Sequence, residues 1–577
     1  MVSTTWMHKC PGCTYPAGRV SHTCFSMGER DLCGERSRPS LRSQADERKM
    51  IKALKRLNVP ADQIIFAIPA GLYLATPLLD IFINYFRSIT GKLEYETFKI
   101  IPYLPIGITV ILALSLILFF IKSTDKNIFR VAYRRTYTFQ NSLLLFILYL
   151  GLVLISIAAN GFTYYAVYGH PYTKMSMWTY ITNVLLYLFF SSLVYDEKVK
   201  SFLVRLCCYS ASAYALYGVL AHIFKPDGHA LSVTFHNSNH YGYYLAVSIA
   251  LTSAMIVHQF SKPCTVTPPD GEECPPTLLN DEGNTDQSEK KDANKKSVGS
   301  KWIDLSIWSL MLIMQCIALA YNNTLGAWLA VLFSQIFLFV VYRVRDGKIN
   351  KYILYTLGLF VGASIVCSIF TKSIFTSVIK TFIDIGNIAS GAENADKAGS
   401  GRWKIWKWTV RHILDRPLIG NGIEGILQYT IAEDIETGSP HNEFLEYAAF
   451  FGIPAALAYI AGCVSVFLHG LKYRKQINAL TLICMAGAIS YLASSFFGVC
   501  FYYTIVYNFI FLGLSLNFVE KDRMVPVPEQ VHTILPEDIT STSEGEENIQ
   551  LEAVQEGKES CGAKDEEEST VAEKNNA

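Results

Sequence analysis

The chain has 577 residues, of which 51% are hydrophobic, 13% aromatic and only 17% charged. Fifty Lys and Arg balance 49 Asp and Glu to a net charge of +1, so there is no basic domain of the kind that binds nucleic acid. A soluble domain carries about 25% charged residues; here the charge is confined to the first sixty or so residues, short loops, one insert and the tail. Between them run apolar stretches of about 17–25 residues, the length of a helix crossing a ~30 Å hydrocarbon core. Lipid leaves a bare backbone unsatisfied, and the alternation of barrel strands is absent, so these stretches are read as helices. The expected fold is an all-α integral membrane protein with about twelve transmembrane helices.

Residues 1–63 form an N-terminal extension. Cys10-Pro11-Gly12-Cys13, with Cys24 and Cys33, has one CxxC pair that suits zinc. The second pair lacks that spacing, which favours an unstructured extension. Met50 opens an ordinary basic lead into the first span and is a candidate start. No cleavable signal peptide is read. The membrane domain is 64–519. Its spans are expected at 64–86, 101–121, 143–159, 178–195, 202–224, 241–260, 302–320, 325–342, 352–371, 443–468, 478–498 and 501–519. Basic residues cluster in every second loop: Lys122 to Arg135, Lys198 to Arg205, Lys290 to Lys296, Arg343 to Lys351 and Lys472 to Lys475. The positive-inside rule puts those loops and both termini in the cytoplasm. Residues 261–301 are polar and Pro-rich and read as a disordered cytoplasmic insert; 520–577 read as an acidic disordered cytoplasmic tail. Residues 372–442 form one large extracytoplasmic loop between spans nine and ten, too rich in Trp for a solvated linker. Cys207, Cys208, Cys367, Cys463 and Cys484 fall in apolar runs and read as small hydrophobes.

The large loop holds the densest set of chemistry-bearing residues. In Ser400-Gly401-Arg402-Trp403-Lys404-Ile405-Trp406-Lys407-Trp408, continuing to Pro417, the positions Trp403, Trp406, Val410 and Ile413 recur at three and four. That spacing predicts an amphipathic helix with Arg402, Lys404, Lys407 and Arg411 on its other side. An interfacial helix meeting anionic headgroups accounts for this pattern. Recognition of an anionic lipid-linked substrate is the functional reading, since guanidinium forks suit diphosphate oxygens. His441, Asn442 and Glu443 follow at the mouth of the tenth span. A capping role is the ordinary explanation of such a trio; a proton acceptor at membrane depth is the functional one. Asn237, Asn239, His236 and His240 precede the sixth span. Their spacing is no standard metal-ligand pattern, and a polar sugar lining fits better. Asn322-Asn323-Thr324 make a tight turn that needs no further explanation.

Taken together these segments resemble the O-antigen ligase and O-antigen polymerase family of bacterial envelope glycan enzymes. SGRWKIWKWTVRHILDRPLIGNGIEG is similar to the family's Gly-Arg, Trp, Pro-Leu-x-Gly-x-Gly stretch, and HNEFLEYAAFFGIPA at 441–455 to its His-Asn stretch. NSNHYGYYLA at 237–246 and NNTLGAWLA at 322–330 resemble two earlier segments, and the likeness covers most of 64–519. The resemblance implies a metal-independent, membrane-embedded C-type glycosyltransferase with no cofactor. Its donor would be a glycan on undecaprenyl diphosphate, and its acceptor another glycan or a lipid. Arg402 would hold the diphosphate and His441 would activate the acceptor hydroxyl or orient the diphosphate, supported by Asn442 and Glu443. Leu325 stands where relatives commonly have Arg, so another cation must serve; Lys404, Arg411 and Arg416 are the candidates. The implied location is the bacterial cytoplasmic membrane, with the site on its outer face.

A polysaccharide transporter or flippase is the alternative from another class. Transporters tend to carry internal repeats and helices broken near the midplane. No repeat is visible here, and the polar clusters sit at span ends. A non-catalytic lipid-binding scaffold is the third reading, kept open by Leu325.

Overall fold

A computed structural model describes residues 140–170, 175–192, 196–224, 237–261, 287–371, 373–433, 439–473, 477–499 and 502–516, with isolated positions elsewhere, chiefly between 63 and 114. The N-terminal cysteines, the first two expected spans in large part, and the acidic tail lie outside the described residues.

The described chain is helical, without strands. The helices are α1 (Gln140–Ala159), α2 (Tyr164–Tyr168), α3 (Met177–Ser192), α4 (Glu197–Phe224), α5 (Ser238–Phe260), α6 (Gln287–Asn322), α7 (Leu325–Asp346), α8 (Lys351–Thr371), α9 (Ser373–Ser390), α10 (Arg402–Asp415), α11 (Gly422–Ala432), α12 (Glu443–Phe451), α13 (Ile453–Lys472), α14 (Ala479–Ser495) and α15 (Tyr502–Leu516). Seven are long and apolar enough to cross a membrane: α1, α4, α5, α6 from Lys301, α7, α8 and α13. Three shorter apolar helices, in α3, α14 and α15, stand where further spans are expected. The chain is thus an integral membrane protein, and the full count of twelve depends partly on residues outside those described.

Two features depart from the expected layout. The insert 261–301 is not disordered throughout, because α6 begins at Gln287. QSEKKDANKK is rich in strong helix formers, and a helix propagates cheaply from a formed span. The stretch 443–468 is not one span either. It breaks at Gly452 into α12 and α13.

α5 is the centre of the bundle. Of its most apolar window 83% is buried, against 28% for α8, which lies at the periphery. Small residues let its neighbours approach: a Cβ on Gly487 of α14 would stand 2.8 Å from Leu251, and one on Gly462 of α13 equally close to Phe146 of α1. A polar seam ties α4, α5 and α6 together. Gln315 donates to Ser212 Oγ (2.8 Å) and accepts from Thr252 Oγ1 (3.2 Å), so its buried amide is not left unsatisfied.

The helices alternate in direction, which gathers the ends of α1, α6, α8 and α14 with the starts of α5, α7 and α13 at one end of the bundle. Asn322 Nδ2 donates to Ser238 O there (2.8 Å). At the opposite end Asn478 donates to Glu197 (3.1 Å), and Asn350 bonds Ser261. Arg343, Arg345, Lys348, Lys351 and Lys472 belong to that second end. α9 to α12 crown the first.

Candidate functional site

α10 begins where the backbone is forced into a left-handed run. Gly399, Ser400 and Gly401 all have positive φ (60°, 60° and 84°), and Ser400 lacks glycine's freedom to adopt it. Asp384 of α9 accepts from the Gly399 N–H (2.8 Å), fixing the approach. Arg402 is the first residue of α10, and it does not share the outer side with Lys404, Lys407 and Arg411 as the spacing suggests: it lies on the face of Trp406, four residues on, while those three are exposed.

The face of α10 that carries Arg402 points into the protein. Trp406, one turn on, donates its indole N–H to the Pro440 carbonyl (2.9 Å) and meets the Phe496 ring edge-on at 6.0 Å. Thr409 follows on the same stripe and is fully buried. This contact with Pro440 brings Arg402 to His441. The Arg402 charge acts on both His441 and Tyr243 of α5, so all three lie close together. Among the described residues, the Arg402 guanidinium has neither an ion pair nor a hydrogen bond, although the side chain is half-buried.

His441 is held by a second strained position, at φ 52°. Its backbone N–H donates to Ser439 Oγ (3.4 Å), and Ser439 in turn donates to Glu446 (2.7 Å). Burial, and then the Arg402 charge, push the imidazole down to about 4 from its usual 6.5. The ring is neutral at physiological pH. Asn442 caps α12, accepting the Leu445 N–H at 3.0 Å. Glu443 is fully buried behind them. It accepts from Tyr491 (2.7 Å), with the hydroxyls of Tyr459, Tyr447 and Ser495 about it. Burial nonetheless raises its carboxyl to about 7.

The remaining predicted residues fall elsewhere. Lys404 and Arg411 lie about 200° and 180° around α10 from Arg402 at ~100° per residue, and both are exposed. Arg416 is at the far end of the helix, about 20 Å along at ~1.5 Å per residue, where it donates to Asn160 (3.2 Å). None of the three supplies Arg402 with a neighbouring cation. Asn237 caps α5 by accepting the Asn239 N–H (2.8 Å), a structural task. His240 is buried one turn before the Tyr243 that flanks Arg402. Leu325 opens α7, packed beside Gly326, whose Cα sits under Phe497.

Sequence reasoning misses two parts of this site. One is Tyr491, 48 residues from Glu443, which nothing local pairs with it. The other is the lock between Pro417–Gly422 and the α12–α13 break. Ile453 N–H donates to Pro417 O (2.8 Å) and Asn421 N–H to Ala449 O (2.9 Å). A Cβ on Gly420 would stand 2.5 Å from the Phe450 carbonyl, and one on Gly452 2.3 Å from Leu418 O. The Gly-rich signature is thus a pair of backbones in contact.

The class defined by fold and site is a polytopic membrane protein with an unpaired, half-buried arginine beside a neutral histidine at one end of its helix bundle. Residues 310–460, from within α6 into α13, match the family model described as O-Antigen ligase. No curated protein matches the chain.

Proposed function

We propose that the protein transfers or polymerises glycan carried on undecaprenyl diphosphate, at the outer face of a bacterial cytoplasmic membrane, with both termini cytoplasmic. The observation that carries this is the Arg402 guanidinium: half-buried, without an acidic partner among the described residues, beside a histidine held neutral. An unpaired buried cation is costly unless an anion completes it, and a diphosphate suits the guanidinium fork.

Arg402 holds the diphosphate and stabilises the charge it gains as the glycosidic bond breaks. His441 accepts the proton of the acceptor hydroxyl as that oxygen attacks the anomeric carbon. The diphosphate leaves on its lipid with the bonding pair. Asn442 and Glu443 position His441 by capping and anchoring α12. The scheme needs no metal and no cofactor. The apolar stripe of α9, with Ile379, Phe382 and Ile383 all exposed, suits the membrane interface where a lipid-linked donor arrives. The basic second end of the bundle fits a cytoplasmic face under the positive-inside rule, which supports an outward-facing Arg402 site.

The test is glycan chain length and attachment in cells carrying the intact protein, Arg402→Ala, His441→Ala or a deletion, with membrane levels matched. Both point variants are expected to reproduce the deletion. Loss of polymer would mark a polymerase and loss of attachment a ligase. Two point variants that behave as intact would discard the site.

A further inference from the structure

A cleft of 230 Å³ opens at the second, basic end of the bundle, opposite the end that carries Arg402. Its walls are the first turns of α4, the last turn of α5 and the start of α14. Glu197, Ser201 and Arg205 line it at a spacing of four, so one stripe of α4 makes the first wall. His258 and Gln259 make the second.

The acid of this cleft is already answered. Glu197 Oε1 accepts from the buried Lys200 ammonium (2.8 Å) and from the Asn478 amide (3.1 Å). Arg205 is different. It is exposed into the cleft, and among the described residues its guanidinium has neither an ion pair nor a hydrogen bond. A second guanidinium stands nearby. Arg345, at the end of α7, rests on the Tyr342 ring at 4.6 Å, and the charges of Arg345 and Arg205 both act on the His258 imidazole. Two arginines and a histidine thus gather about one carboxylate that Lys200 has neutralised, and the surplus charge suits an anion. A guanidinium fork suits the oxygens of a phosphate.

Depth and surroundings say which phosphate. α4 has 28 residues. At ~1.5 Å per residue it is about 42 Å long, against a hydrocarbon core of ~30 Å. Arg205 lies about 12 Å along it from Glu197, which puts the guanidinium at the hydrocarbon boundary rather than out in water. Charge at that depth is costly unless it is used. Below it the same side of α4 turns apolar. Phe202, Tyr209 and Leu216 recur at intervals of seven and are all exposed. A soluble phosphate leaves that stripe bare, whereas a lipid covers it.

We propose that the cleft binds one anionic phospholipid of the adjoining leaflet. Its phosphate diester sits on Arg205, its headgroup hydroxyls meet Ser201 and Gln259, and an acyl chain lies along Phe202, Tyr209 and Leu216. The lipid bridges α4 and α5 where Asn478 already joins α14 to α4. That the leaflet is the cytoplasmic one rests on the orientation proposed above; the binding does not.

The experiment uses the full chain, stripped of lipid in a neutral detergent, and adds back phosphatidylglycerol, phosphatidylcholine or inorganic phosphate. Native mass spectrometry counts bound lipid, and the melting temperature follows each titration. One phosphatidylglycerol is expected to bind and to raise the melting temperature, and the other two probes to do neither. Arg205→Gln is expected to weaken binding at least about tenfold, the scale of one hydrogen-bonded charge. Lys348→Gln removes an exposed cation at the same end but outside the cleft, and is expected to cost at most about fivefold, the scale of diffuse attraction. Should Arg205→Gln lose its fold, Ser201→Trp fills the cleft with every charge kept and is expected to show the same tenfold loss. No retained phosphatidylglycerol, binding that survives Arg205→Gln or Ser201→Trp in folded protein, or equal losses in Arg205→Gln and Lys348→Gln would each overturn the site. So would phosphatidylcholine or inorganic phosphate acting as well as phosphatidylglycerol.

Discussion

The two ends of α10 treat charge in opposite ways. In its second half two buried side chains, Trp408 and His412, share one acidic partner. Glu433 accepts from Trp408 Nε1 (2.8 Å) and shares a 3.0 Å hydrogen bond with His412, which is stacked on Tyr429. At its first residue, Arg402 lies half-buried with its charge unanswered by any carboxylate among the described residues. The satisfied cluster fastens α11 to α10 and builds a scaffold. The unsatisfied cation is what that scaffold presents. The lesson is that aromatic and charged residues on one short helix divide by whether the protein itself completes their bonds.

The sharpest way to break this comparison is to remove one member from each end. Arg402→Ala is expected to cost at least about 100-fold in glycan transfer, the scale of losing one donor aimed at developing charge, while the unfolding temperature stays within a degree or so. Glu433→Ala should do the reverse. It strands a buried indole N–H and costs about 1–3 kcal/mol of stability, read as a lower melting temperature, with transfer by the folded fraction reduced only a few-fold. If the two variants exchanged these phenotypes, the division would be wrong.

A smaller effect comes from Glu443. Its folded carboxyl titrates near 7, raised by burial from an ordinary 4.5. Between those values the folded state binds the extra proton, so stability falls as pH rises through that window and is lowest above it. The lowered His441 imidazole contributes the opposite slope between about 4 and 6.5, so the effect is read as a difference between proteins: relative to Glu443→Gln, the intact chain is expected to lose a few degrees of melting temperature between about pH 5 and about pH 8. A Glu443→Gln profile with the same slope would place the titrating group elsewhere.

The smallest effect belongs to Lys404 and Arg411, which face away from Arg402. Changing both to Ala is expected to alter transfer less than about threefold in membranes of fixed composition. A loss as large as that of Arg402→Ala would mean that the α10 face assigned to solvent carries the substrate.

Much of this is legible in the sequence. Hydropathy alone finds α1, α4, α5, α7 and α8 close to their observed limits, and the three-and-four spacing of Trp403, Trp406 and Val410 gives α10. The proximity of Arg402 and His441 is implied by the family resemblance. The break at Gly452 is hidden from hydropathy, because apolar residues run on through it, but Gly452-Ile453-Pro454 marks it locally, a glycine at positive φ and then a proline in the first turn of α13; what the sequence does not show is the Leu418 carbonyl, from 34 residues earlier, packed where a side chain at 452 would stand. The unequal roles of the five basic residues of α10 and its cap are half legible. The three-and-four reading groups Arg402 with Lys404 and Arg411, and only the Trp406–Pro440 bond puts Arg402 on the inner side. Asn237 and Asn442 look like ligands in the sequence because capping and binding draw on the same residue types.

His441 is proposed to take the proton of the attacking hydroxyl. Single-turnover transfer from a diphosphate-linked donor by purified protein in nanodiscs tests it most directly, comparing the intact chain with His441→Ala and measuring donor binding alongside. The account predicts at least about a 100-fold slower transfer with donor affinity retained through Arg402. Transfer by His441→Ala at the intact rate would contradict it.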